Sequence, residues 1–156
     1  MEQGRTNLNL DVGCEHVFRG NVNVDLTKPN FVHSKIFIKA DGQHLPFRDR
    51  IFEKTTSHHL IEHVENPYRL LNELIRVTKN KVIVKCPHRY SFIAKSSQHK
   101  NYFNKTWFAK ALSKKNVKFR THTTLDLERE ILNFPLEITV TIWKLEKEKD
   151  EAAKSS

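Results

Sequence analysis

The stretch LNLDVGCEHVFRGNVNVDL, residues 8–26, decides the fold class of this chain. Leu8, Leu10 and Val12 alternate with polar residues, and the same period of two returns in NVNVDL at residues 21–26. This period is typical of strands with one buried face. Only about seven residues connect the two strands, whereas a crossover that carries a helix between parallel strands needs about a dozen. We therefore predict that this connection has no regular helix.

Further segments continue the alternation of strands and helices. The connection from Leu26 to Lys35, with about eight residues, is again too short for a helix. Asn66 can cap a helix that begins at Pro67 and has an apolar face of leucines. This order predicts an α/β fold with a mostly parallel sheet of about seven strands. The other predicted elements are strands at 35–41, 52–59, 81–87, 117–123 and 136–145, a helix at about 104–113 and a short helix over 124–132.

The strand patterns also predict what covers each face of the sheet. In KVIVKCP, residues 81–87, Val82 and Val84 alternate with Lys81 and Lys85. Strands that are buried on both faces read instead as continuous apolar runs. We therefore predict a minimal two-layer protein with its helices mainly on one face, while the second face meets solvent or a partner.

Length and composition set the class of protein. The chain has 156 residues, with 27 basic and 18 acidic side chains and a formal net charge of +9. We predict one domain over 1–145 and a charged, disordered tail over 146–156. There is no apolar run long enough to cross a membrane and no export signal at the start of the sequence. Cys14 and Cys86 form no CxxC pair, which favours reduced thiols and a cytoplasmic location.

Polar residues at the predicted strand ends carry the candidate site. Gly13 ends the first strand and lets the backbone approach a ligand closely. A carboxylate at the end of the second strand, Asp25, can accept hydrogen bonds from ribose hydroxyls. Asp41 follows the third strand and could accept a hydrogen bond from an adenine amino group. Taken singly, an aspartate at a strand end is more often a turn former or a helix cap.

In this order and spacing the segments resemble class I, Rossmann-like S-adenosylmethionine (SAM) dependent methyltransferases, especially their small-domain branch. The resemblance runs from about Leu8 to Phe119. Its blocks are LDVGC, NVNVDL, ADGQHLPFRDRIF, SHHLIEHVENPYRLLNELIRV, KVIVKCPH and HKNYFNKTWFAKALSKKNVKF. The combination implies methyl transfer from SAM by a fold that here lacks several standard helices.

The resemblance also implies roles for individual residues. Asp25, with Leu26 beside it, would hold the ribose of SAM, and Asp41 with Gly42 would hold the adenine. The sequence departs from the family at Glu15, where Gly-x-Gly is frequent, and this puts cofactor binding in doubt. The methionine part would lie near Asp11, Val12, Gly13 and Cys14, and the open side of the cofactor near His58 and His59.

The sequence assigns no catalytic residue. Candidate bases near the open end are His59, Glu62, His63, His88 and His99, and a structural role is the more frequent one for any single member of this set. His59, Glu62 and His63 also match H-x-x-E-H, so a zinc hydrolase is a remote alternative. This chemistry needs both histidines on one helix face, whereas the pentapeptide is predicted to lie in a loop. No metal site is therefore assigned.

Two expectations concern partners and activity. The altered Gly-x-Gly segment and the missing helices leave open a catalytically inactive binding module on the same fold. The helix-free face is a candidate for a homodimer interface. The basic excess favours a nucleic acid or an acidic protein as substrate or partner.

Overall fold

The computed structural model describes residues 7–28, 30, 35–126 and 134–145. Seven strands and two α-helices follow in the order β-β-β-β-α-β-α-β-β, in which the sequence predicts these nine elements, and a short 3₁₀ turn at Ile93–Lys95 follows the fifth strand. The elements are β1 (Asn9–Val12), β2 (Val22–Asp25), β3 (Ile36–Lys39), β4 (Phe52–His58), α1 (Pro67–Val77), β5 (Thr78–Pro87), α2 (Lys105–Leu112), β6 (Val117–Asp126) and β7 (Phe134–Lys144).

All seven strands form one sheet in the order β3-β2-β1-β4-β5-β7-β6. The first five strands in this order, β3, β2, β1, β4 and β5, run parallel to one another. Strand β7 pairs antiparallel with both β5 and β6. Asp11 in the middle of β1 lies beside Asn23 of β2 and Thr56 of β4. Because parallel strands end at the same edge, the turns after β1, β2, β3 and β4 meet there.

Both helices start at an asparagine cap and pack on one face of the sheet. The side chain of Asn66 accepts a hydrogen bond from the amide of Arg69 at 3.0 Å, and Asn104 accepts one from the amide of Trp107 at 2.9 Å. A cap of this kind stabilises a helix by about 1 kcal/mol. The buried core between helices and sheet contains Val12, Val24, Leu70, Leu71, Leu74, Val82, Val84, Phe108, Leu112, Val140 and Ile142.

The first connection, from Gly13 to Asn21, contains no helix, as predicted. Its backbone lies directly on the second face of the sheet, held by two buried polar side chains. Asp11 accepts a hydrogen bond from the amide of Arg19 at 3.1 Å. Asn23 accepts one from the amide of Gly20 at 3.0 Å and donates one to the carbonyl of the same residue at 3.1 Å. The loop therefore replaces a crossover helix over this part of the sheet.

An arginine fastens the loop after β3 to α1. The guanidinium of Arg76 donates to the carbonyls of Leu45 and Phe47 at 3.0 and 2.7 Å. It also pairs with the carboxylates of Glu73 and Asp49 at 2.7 and 2.8 Å. Glu73 in turn accepts a hydrogen bond from the amide of Leu45 at 2.8 Å. This Arg76 clamp fixes the loop that carries Asp41 against the helix.

One predicted element is wrong within the described residues. The short helix over 124–132 does not begin at Thr124, because β6 continues to Asp126 and pairs with β7. The extended conformation prevails because these residues complete a ten-residue antiparallel ladder. The rest of that predicted helix, 127–132, and the predicted tail, 146–156, lie outside the described residues. Among the helices that the structure describes, none is long and apolar enough to cross a membrane.

Candidate functional site

A cleft of about 210 Å³ opens at the edge of the sheet where β1, β2 and β3 end. Its floor is apolar, and two carboxylates stand at strand ends along its wall. The side opposite these strands is formed by the turn after β4 and by Lys100 from the segment that precedes α2. The lining residues are Val12, Gly13, Val24, Asp25, Leu26, Ala40, Asp41, Gly42, Gln43, Leu60, His63, Val64, Glu65 and Lys100.

Asp25 lies at the end of β2 and is engaged by backbone amides. Its Oδ2 accepts a hydrogen bond from the amide of Glu15 at 3.0 Å, and its Oδ1 accepts one from the amide of Thr27 at 3.1 Å. Each carboxylate oxygen has two lone pairs. Both oxygens can therefore accept a further hydrogen bond from a ligand hydroxyl.

Asp41 follows β3 and is held in the ionised form. Its Oδ1 accepts a hydrogen bond from the amide of Gln43 at 2.8 Å, and its Oδ2 lies 3.3 Å from Nδ1 of His44. Partial burial works to raise the pKa of this carboxyl, but the hydrogen bonds from Gln43 and His44 outweigh it and lower the pKa below its usual value. A charged acceptor is therefore present at the cleft near neutral pH.

Two glycines shape the wall. Gly13 has a φ of 75°, and an added Cβ would lie 2.8 Å from Cβ of Leu60. At Gly42 an added Cβ would lie 2.9 Å from Cγ1 of Val12 and 3.0 Å from Cδ1 of Leu70. Both positions therefore require glycine for packing within the protein, quite apart from any ligand.

The structure brings six of the ten predicted cofactor-binding residues to the cleft: Val12, Gly13, Asp25, Leu26, Asp41 and Gly42. The other four, Asp11, Cys14, His58 and His59, do not line it. His63, named from the sequence as a candidate base, also lines the cleft, whereas sequence reasoning missed Leu60 and Lys100. Lys100 reaches the cleft because its amide donates to the carbonyl of Glu62 at 2.8 Å, a contact between distant segments that no local pattern signals.

Asp11 is buried beneath the first connection, and Cys14 is buried within it. The carboxylate of Asp11 accepts a hydrogen bond from Oγ1 of Thr56 at 3.0 Å and lies 3.6 Å from the guanidinium of Arg19. Burial, together with the charges of Asp25 and Asp11, raises the pKa of the Cys14 thiol to about 12. These two residues organise the loop around Gly13 rather than the cleft surface.

His58 and His59 lie beside the cleft, at the end of β4. Burial and the charge of Arg19 lower the pKa of His58. His59 has a φ of 52° and lies with Nδ1 3.4 Å from Glu62 and Nε2 2.9 Å from Glu137. The neighbouring carboxylate of Glu62 raises the pKa of His59 although burial opposes it.

The H-x-x-E-H pentapeptide is not helical. Residues 59–64 form turns, and the ring of His59 is directed between Glu62 and Glu137. His59 and His63 therefore do not face one metal from successive turns of a helix, as the zinc hydrolase alternative requires.

The sheet order, the strand-end cleft and the two carboxylates define a Rossmann-like, class I methyltransferase fold. Two solved structures share it. A SAM-dependent methyltransferase of Thermotoga maritima has a TM-score of 0.66 and 17% identity, with 88% of this chain and 82% of that chain covered. A methyltransferase of Haloferax volcanii, in complex with the Trm112 methyltransferase activator, has a TM-score of 0.66 and 12% identity, with 90% and 83% covered. The predicted fold class is confirmed.

The family comparison agrees with the fold. Residues 10–85, just under half of the chain, match a methyltransferase domain family. An "uncharacterized methyltransferase" of Mycobacterium sp. strain JLS is 42% identical over 43 residues, which are 28% of this chain and 17% of that protein. The chain thus matches less than a fifth of the length of that relative. Residues 10–85 are similar to a methyltransferase domain, and SAM is the cofactor that this similarity implies.

Proposed function

We propose that this protein is a SAM-dependent methyltransferase that binds SAM in the strand-end cleft. The observation that carries the proposal is the arrangement of Asp25 and Asp41 on an apolar floor at the ends of adjacent parallel strands. Ligands of open α/β sheets bind at this edge. The methyltransferase domain match covers both carboxylates.

Individual residues would divide the cofactor between them. Asp25 would accept hydrogen bonds from the ribose hydroxyls, and Asp41, with the backbone at Gly42, would hold the adenine. Leu26 and Leu60 would contact the apolar faces of the nucleoside. The backbone at Gly13 would lie closest to the methionine part. In this arrangement the protein holds the cofactor chiefly through hydrogen-bond acceptors and apolar contacts.

Bound SAM supplies an electrophilic methyl group on a sulfonium sulfur. An acceptor heteroatom would form a bond to this methyl carbon as the carbon–sulfur bond breaks, and its proton would pass to solvent or to a base. Holding the acceptor in line can supply most of the acceleration. His63 lines the cleft, so its imidazole can accept that proton.

A second candidate function has its own support. Both oxygens of Asp25 already accept backbone hydrogen bonds, one of them from Glu15, the residue that stands in place of a glycine. A loop that already donates to both oxygens leaves fewer lone pairs for ribose hydroxyls, which suits a binding module that no longer uses SAM. The two candidates differ in one measurable property, the affinity for SAM.

Calorimetric titration tests the proposal. Wild-type protein should bind SAM and S-adenosylhomocysteine with one-to-one stoichiometry, and Asp25→Ala should weaken binding at least tenfold because two ribose hydrogen bonds are lost. Glu53→Ala, which changes an acid near the start of β4 outside the cleft lining, is the matched control and should bind as wild type. Absence of heat and of thermal stabilisation at millimolar SAM would favour the binding module.

The helix-free sheet face is the proposed interface with a partner. Trp143 of β7 is 39% exposed there, and Ile83 of β5 is partly buried beside it. An apolar centre of this kind supports a homodimer about a two-fold axis. Lysines and an arginine surround it and support an anionic partner instead, nucleic acid or acidic protein. Those basic residues are Lys54, Lys81, Lys85, Lys118 and Arg120.

Molar mass and salt dependence separate these partners. Light scattering that gives twice the chain mass, and the monomer mass for Trp143→Lys, would support the homodimer. A monomeric wild type that shifts an RNA or DNA probe at low salt but not at 0.3 M salt would support the polyanion. Lys54→Glu combined with Lys118→Glu should abolish only the second behaviour.

A cytoplasmic location is the remaining proposal. Cys14 and Cys86 are buried and form no disulfide. Free thiols of this kind suit a reducing compartment. Fractionation of cells that express the tagged chain tests the location directly.

A further inference from the structure

We propose that Glu62, His63 and His99 form a binding site for one divalent metal ion, with zinc as the best-suited ion. One potential ligand atom from each residue lies within 4.8 Å of the other two. The three come from two segments, the turn after β4 and the loop before α2. Tetrahedral zinc ligands lie about 3.4 Å apart, so binding would draw these side chains together by about 1 Å.

The backbone holds the two segments in place without a metal. The carbonyl of Glu62 accepts hydrogen bonds from the amides of Lys100 at 2.8 Å and Asn101 at 3.1 Å. The side-chain amide of Asn101 donates to the carbonyl of Val64 at 2.8 Å. His99 is therefore fixed beside His63, and their rings meet edge to face with centroids 4.8 Å apart.

Each histidine ring is oriented by a carbonyl. Nδ1 of His63 lies 3.2 Å from the carbonyl of Gln98, and Nδ1 of His99 lies 3.1 Å from the carbonyl of Ala94. Because a carbonyl only accepts, Nδ1 is the protonated nitrogen of each neutral ring, and Nε2 has a free lone pair. Metal-binding histidines typically show this arrangement, which fixes the tautomer and the ring direction.

The carboxylate of Glu62 gives the independent observation. Its side chain is only 2% exposed, and within the described part of the chain neither of its oxygens has a hydrogen-bond partner. His59 offers a partial charge contact at 3.4 Å. A buried carboxylate without hydrogen bonds is strongly unfavourable, and a bound cation would resolve it. Two imidazoles and one carboxylate match a zinc site with an open fourth position.

His63 also lines the cleft, which places the proposed metal at its wall. The open position would then accept an oxygen or nitrogen atom of the methyl acceptor and lower its pKa, a role that rests on the proposed methyltransferase function. Metal binding itself does not depend on SAM, so it can fail or succeed separately from that function.

The test is a zinc titration of EDTA-treated protein in the absence of SAM. Wild type should bind one equivalent with micromolar or tighter affinity, and its melting temperature should rise with zinc. Cobalt in its place should give the visible absorption of a four-coordinate site. His99→Ala should weaken binding about 100-fold, whereas His122→Ala, an exposed histidine on β6, should bind as wild type.

The variant Glu62→Gln distinguishes a role of Glu62 as a metal ligand from a purely structural role. The amide is uncharged, so the metal-free variant should be as stable as wild type or more stable, while its melting temperature should no longer respond to zinc. Stoichiometry below one half in wild type, or zinc binding that is unchanged in both His99→Ala and Glu62→Gln, would overturn the site.

Discussion

The amide of Glu15 donates a hydrogen bond of 3.0 Å to Oδ2 of Asp25, and Glu15 adopts a φ of 43° to do so. A side chain in this left-handed region is strained by about 1 kcal/mol. The exposed Glu15 therefore adopts, at this energetic cost, a backbone conformation that glycine adopts without strain. The segment Gly13–Glu15, in which the sequence departs from the Gly-x-Gly pattern, is therefore also the segment that donates a hydrogen bond to Asp25.

Glu15→Gly should stabilise the protein by about 1 kcal/mol, because glycine adopts positive φ without strain. The amide remains, so the hydrogen bond to Asp25 should persist and SAM affinity should be equal to wild type or higher. Chemical denaturation and calorimetry measure the two effects. Arg50→Gly is the control: Arg50 also has positive φ, at 54°, but lies outside the cleft. A loss of stability in Glu15→Gly would show that its side chain has contacts that outweigh the strain.

Gly13→Ala should lower the free energy of unfolding by about 2–4 kcal/mol, since the added methyl meets Cβ of Leu60 at 2.8 Å and φ is 75°. Combining it with Leu60→Ala should recover only part of the loss, because truncation to alanine retains Cβ and leaves φ unchanged. Gly42→Ala also meets side-chain atoms, but Gly42 does not have a positive φ, so this should be the milder change. Urea denaturation of these three variants and of Leu60→Ala alone measures the differences, and additive losses at positions 13 and 60 would contradict the steric account.

The Arg76 clamp should make stability depend on acid pH. Arg76 lowers the pKa of Glu73 through its hydrogen bond, against the effect of burial. Because the folded-state pKa lies below the ordinary value, the contribution is complete above about pH 4.5 and is lost as pH falls through the folded-state pKa.

Glu73→Gln should therefore cost about 1–2 kcal/mol at pH 7 and progressively less toward pH 3. Denaturant unfolding at several pH values measures the convergence with wild type. Asp49→Asn removes the other acid bound to Arg76, but Asp49 is 72% exposed, so the loss should be smaller. A constant difference between Glu73→Gln and wild type from pH 7 to pH 3 would show that charge is not the cause.

Cys14 should be inert toward thiol reagents in the folded protein. With a pKa of about 12, only about one thiol in ten thousand is ionised at pH 8, and the residue is buried. In Cys86→Ala, which leaves one thiol, disulfide exchange with an aromatic reagent should be slow natively and fast in guanidinium. Rapid labelling without denaturant would mean that the loop around Gly13 opens readily.

The sequence predicts the strands of this fold well because the period of two is a local signal of one-sided burial. The prediction from local composition ended β6 too early. Pairing with β7 across ten residues extends the strand to Asp126. Asp25 and Asp41 could be found because strand ends of a parallel sheet meet at one edge. Asp11 reaches the opposite face because it alternates with Leu10 and Val12 in β1. Lys100 reaches the cleft through a long-range backbone contact with Glu62, which periodicity does not report.

The short connection after β1 also constrains how this protein can change. A Cβ on Gly20 would lie 2.7 Å from the amide of Asp11 and 2.8 Å from the carbonyl of Asn9. The loop backbone therefore contacts β1 directly, whereas a helix would pack at a greater distance from the sheet. The buried side chains of Asp11 and Asn23 accept hydrogen bonds from amides of this loop and anchor it to the sheet. A helix in the same place would leave both side chains without these donors. Regaining a helix would require replacing the glycine and both anchors together, because each single replacement breaks the present loop. The compact loop is thus an alternative that single substitutions cannot easily reverse.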